Sequence, residues 1–71
     1  MHEAKSERFE RLSESRKARL VHEIRLISNL SNTKNYRYTS EQVSRLFEEI
    51  DTALVAAKKE FERNLPSEGT E

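Results

Sequence analysis

Stepping about 100° per residue from Val43 around a helix, Phe47, Ile50, Leu54, Ala57, Phe61 and Leu65 fall within about 40° of one direction, with Leu46 on the flank. This unbroken apolar stripe predicts an amphipathic helix over about residues 40–65, from which only Val55 lies clearly aside. Pro66 ends it, because a residue before proline is pushed out of the α region. Residues 66–71 then read as a frayed tail.

The helix also announces its start. In Tyr38-Thr39-Ser40-Glu41-Gln42-Val43, Thr39 suits the N-cap and Gln42 stands where a side chain reaches back to close a capping box. Tyr38 and Val43 occupy the two positions of a hydrophobic staple, which sets the angle at which the chain enters the helix.

Upstream, Leu20, Ile24 and Ile27 share a face, with Val21 and Leu30 beside it. Toward the N-terminus that face continues through Arg16 and Ser13 to Phe9, with Leu12 on the flank, so it turns polar for two turns before an aromatic closes it. The pattern predicts a helix over about 6–30. The alternative is a short N-terminal helix with a break near Ser13-Glu14-Ser15, where serines compete for backbone hydrogen bonds. Residues 31–38, with two asparagines and no stripe, read as a loop.

The expected fold is therefore all-α: an antiparallel two-helix hairpin in one domain spanning 1–71. Folding back about Asn35 pairs residues whose numbers sum to roughly 70, which sets Ile27 against Val43, Ile24 against Leu46 and Phe47, Leu20 against Ile50, Ser13 against Ala57 and Phe9 against Phe61. Arg19 falls at the level of Asp51. A two-helix hairpin covers each helix on one side only, which leaves Leu26, Leu46 and Val55 at its edges. Self-association into a four-helix bundle, as a homodimer, would cover them.

Composition sharpens this. Of 71 residues, 34% are apolar and 37% charged, so any core is thin. A chain this short buries only about 60% of the surface its unfolded form exposes, which favours help from a partner. With no cysteine, disulfides and thiolate ligands are excluded, and a reducing compartment is suited. No apolar run approaches the roughly 20 residues of a membrane span, and Met1-His2-Glu3-Ala4-Lys5 lacks an apolar signal core. The expectation is a cytoplasmic, non-membrane protein.

The net charge is zero, but its halves differ in sign. Arg16, Lys17, Arg19, Arg25, Lys34 and Arg37 face a single acid, Glu23, between Arg16 and Tyr38. From Glu41 onward acids outnumber bases. Cations interleaved with Tyr36 in the loop suit phosphates and stacked bases, so Arg16, Lys17, Arg19, Arg25, Lys34, Tyr36 and Arg37 form a candidate surface for nucleic acid or a protein partner.

Catalytic chemistry has little to work with. His2 and His22 cannot make a metal site by themselves, and no glycine-rich loop cradles phosphate. The carboxylates of Glu48-Glu49-Ile50-Asp51 diverge on a helix and read as a solvated face. No catalytic residue, metal or cofactor is expected.

The stretch Tyr36-Arg37-Tyr38-Thr39-Ser40-Glu41-Gln42-Val43, followed by Leu46-Phe47, Asp51 and Leu54, resembles the central part of the Hha and YmoA family of small bacterial nucleoid-associated modulators. The resemblance implies a bacterial, cytoplasmic helical protein that modulates transcription by binding a DNA-coating partner, with Asp51 at the family's partner-binding acid. The serine and glutamine of the small sporulation phosphatases' helical signature are missing from Glu48-Glu49-Ile50-Asp51. The leading expectation is a small non-enzymatic regulator that binds a protein partner, with a nucleoprotein complex as one setting. Direct DNA or RNA binding by a hairpin dimer is the first alternative, and a small inhibitor or phosphatase-like regulator is the second.

Overall fold

The computed structural model describes residues 3–65, and among these it contains two α-helices and no strand. The chain divides into two units, Met1–Arg37 and Tyr38–Glu71, each built on one helix. The expected tail over 66–71, the proline stop itself and His2 lie outside the described residues.

Helix α1 spans Lys5–Asn29. It runs without interruption through Ser13-Glu14-Ser15, and the Ser13 hydroxyl donates back to the Glu10 carbonyl at 3.2 Å, which satisfies the hydroxyl without breaking the ladder. At 1.5 Å per residue the helix is about 38 Å long. Its N-cap is Ala4, which has no side-chain oxygen to offer, so half of a capping box is present: the Ala4 N–H donates to Glu7 Oε1 at 3.1 Å. The entry is tied down from outside the helix. Arg11 donates through Nε and Nη2 to the two carboxylate oxygens of Glu3, both at 2.9 Å. This two-pronged contact holds the Glu3 carboxyl below its usual pKa, mainly through the hydrogen bonds from Arg11, and raises Arg11 in turn.

The last turn of α1 tightens. Leu30, Ser31 and Asn32 donate to the carbonyls three residues back, at 3.0, 3.0 and 3.3 Å. Asn32 then organises the loop: its carbonyl accepts from Asn35 at 3.1 Å and from Tyr36 at 3.0 Å, and its side-chain oxygen accepts from the Lys34 N–H at 3.0 Å. No described residue takes a positive φ, which explains how this turn is made without glycine.

Helix α2 spans Ser40–Asn64. Thr39 caps it from an extended conformation, and the capping box is complete: Gln42 N–H donates to Thr39 Oγ1 at 3.1 Å, while Thr39 N–H donates to Gln42 Oε1 at 2.8 Å. At the far end Leu65 is extended, at φ −75° and ψ 143°, as a residue before proline should be, and its N–H still reaches the Phe61 carbonyl at 2.8 Å. Arg63 contacts Glu60 at 2.9 Å in the last turn, where a cation also suits the helix dipole.

No described residue is buried. Ile27, Val43, Leu46 and Ile50 are half-buried, and the larger members of both stripes remain open to solvent. No described helix is long and apolar enough to cross a membrane.

Candidate partner-binding surfaces

One side of α2 is shallowly concave. Ser44, Phe47, Glu48, Asp51, Thr52 and Val55 line a shallow groove along one side of the helix. Their spacing of three and four residues puts them on adjacent turns, so the groove follows from helical geometry alone. Phe47 and Val55 are 45% and 49% exposed, and they flank the Asp51 carboxylate on the turns before and after it. Among the described residues the ion pairs are Arg11–Glu3, Lys17–Glu14 and Arg63–Glu60, so Asp51 is left without one. An acid between two apolar side chains can take a cationic group whose neighbours are apolar. Of these residues, Asp51 is one expected from the sequence. Ser44, Thr52 and Val55 carry no chemical signature, and only their shared side of the helix brings them to it.

A second depression, lined by Arg45, Glu48, Glu49, Thr52, Ala53 and Ala56, runs along the back of the same helix. Glu48 borders both grooves, while Glu49 and Asp51 separate onto different ones, and no group of acids and histidines among the described residues is arranged to hold a metal ion.

The cations of α1 do not share a surface. In an uninterrupted helix, Arg16, Lys17, Arg19 and Arg25 project roughly 60–120° apart, around almost the whole circumference. Lys17 is also engaged by Glu14, at 3.0 Å. A backbone phosphate run needs a stripe of like charge, and these four do not supply one. Lys34, Tyr36 and Arg37 are different: they sit within four positions on the loop that Asn32 organises, and Tyr36 is 48% exposed.

His22 stands on the side of α1 away from the apolar stripe, remote from a catalytic arrangement with any serine on its own helix face. Comparison with known protein families, with curated proteins and with solved structures finds no match for this chain.

Proposed function

We propose that this is a small regulatory protein that acts by binding a protein partner, using the Asp51 groove of α2. The observation that carries the reading is the position of the Asp51 carboxylate between exposed Phe47 and Val55, with no ion pair to another described residue. The complementary partner surface presents an arginine or lysine among apolar side chains. The exposed stripes of both helices support an antiparallel hairpin as the folded form, since each can be covered by the other. Such a hairpin places Lys17 on the same side as Asp51, but Glu14 already holds the Lys17 ammonium, which leaves Asp51 for the partner.

The test is capture of partners from a lysate treated with nuclease, with wild-type and Asp51→Lys protein as baits. A protein retained by the wild type after nuclease and lost by the variant supports the reading. A partner lost with nuclease and retained by Asp51→Lys overturns it.

One observation favours a second reading, direct nucleic-acid binding through the loop: Tyr36 is exposed between Lys34 and Arg37. Affinity for single-stranded DNA or RNA that falls steeply with salt, and falls again in Tyr36→Ala, is its signature.

A further inference from the structure

The side of α2 that carries the Asp51 groove continues toward the C-terminus. Lys58 stands two turns on from Asp51, about 20° from it around the helix, and is exposed. Leu54 and Val55 lie one turn before Lys58 and Phe61 one turn after it, at 48%, 49% and 55% exposure. Neither Asp51 nor Lys58 takes part in an ion pair among the described residues. One side of this helix therefore holds an acid set between apolar side chains and, two turns away, a cation in the same setting.

A cation in that setting is what the groove requires of a partner. Among the described cations, Lys58 and Arg16 have a large apolar side chain both one turn before and one turn after, Arg16 having Leu12 and Leu20. Of the two, Lys58 shares a helix face with Asp51. A surface that carries both halves of a contact complements itself under a two-fold axis.

Resting on the reading that the Asp51 groove takes a cation among apolar side chains, we infer that this cation is Lys58 of a second copy of the chain, docked antiparallel along the same side of α2. With the two-fold axis crossing between Leu54 and Val55, Asp51 of each copy comes level with Lys58 of the other, and Val55 lies beside Val55. On the outer flank Glu48 falls between Glu62 and Lys59 of the other copy, one of each sign, so that flank adds little. A parallel pairing sets Asp51 against Asp51 and Lys58 against Lys58, which repel. The docking side lies about 100° around α2 from the Val43–Ile50–Phe61 line and does not occupy that line.

The test is a charge reversal read by sedimentation equilibrium on the full chain. Asp51→Lys and Lys58→Asp each weaken self-association by roughly tenfold, because each puts two like-charge contacts into the dimer. An equal mixture of the two variants restores wild-type association, since a mixed dimer has a lysine facing an aspartate at both contacts. That rescue can arise only between chains. Val55→Asp, beside the axis, weakens association, whereas Arg16→Glu leaves it unchanged. A single-chain mass for the wild type at high concentration, wild-type association by Asp51→Lys, or a mixture that fails to recover overturns the inference. So does association lost in Arg16→Glu and kept in Lys58→Asp, which assigns the cation to α1. In each of these cases the groove reading stands as long as Asp51→Lys loses its nuclease-resistant lysate partner, and retention of that partner by Asp51→Lys overturns the reading itself.

Discussion

Thr39 and Gln42 close the start of α2 on each other, the Gln42 N–H donating to Thr39 Oγ1 at 3.1 Å and the Thr39 N–H donating to Gln42 Oε1 at 2.8 Å. Two of the backbone donors that a helix N-terminus leaves over are thereby satisfied within four residues. Thr39→Ala removes the hydroxyl and costs about 1 kcal/mol of stability, while Thr39→Ser keeps most of it. Thermal melts followed by circular dichroism distinguish the two, and equal melts for both variants would remove the cap from the account.

The tie between Glu3 and Arg11 makes the entry to α1 sensitive to acid. A carboxyl whose pKa is lowered in the folded chain stabilises it above the ordinary glutamate value, 4.5, and that contribution is lost as the pH falls through the lowered value. Carbon NMR of the Glu3 carboxyl is expected to show a midpoint below 4.5 in the wild type and a return upward in Arg11→Gln.

Ser13 and Ser15 are weak helix formers inside α1, and the helix passes through both. Replacing each by alanine raises helix stability by roughly 0.5 kcal/mol, since alanine loses no side-chain freedom and offers the backbone no competing bond. Helicity and melting temperature should both rise in Ser13→Ala/Ser15→Ala. A fall in either would mean that one of these serines makes a contact of greater worth.

Phe47→Ala truncates an apolar wall of the Asp51 groove without touching its charge. Loss of partner retention in both Phe47→Ala and Asp51→Lys, against normal retention in His22→Ala, is the pattern expected of a mixed acidic and apolar site. Phe47 also belongs to the stripe of α2, so circular dichroism of the variant must accompany the binding measurement. Retained helicity with lost binding assigns the effect to the groove.

For the loop, Tyr36→Ala and Lys34→Ala/Arg37→Ala separate stacking from charge. If nucleic acid binds there, the first variant lowers affinity at all salt concentrations, and the second also flattens the salt dependence. An unaltered salt slope in the double variant would place any such binding elsewhere.

Much of the local structure was legible in the residues. The corner at Thr39 is a short-range pattern whose partners lie three residues apart, so no distant contact is needed to specify it. The extended Leu65 follows from a neighbouring proline, and the stripe of α2 from its 3.6-residue period. The middle of α1 was less determined, because weak propensities at Ser13 and Ser15 permitted both a break and a continuous helix.

The amino-acid order of this chain is enough to specify two amphipathic helices, their caps and the polar turn between them, since these depend on interactions a few residues in range. Two features needed the three-dimensional structure: the return of Glu3 to Arg11, and the uninterrupted course of α1 that scatters Arg16, Lys17, Arg19 and Arg25 around it. The reason is directional. A sequence gives the order of charges along a chain, whereas a binding surface depends on where each side chain points, and an unbroken helix changes that direction by about 100° at every residue.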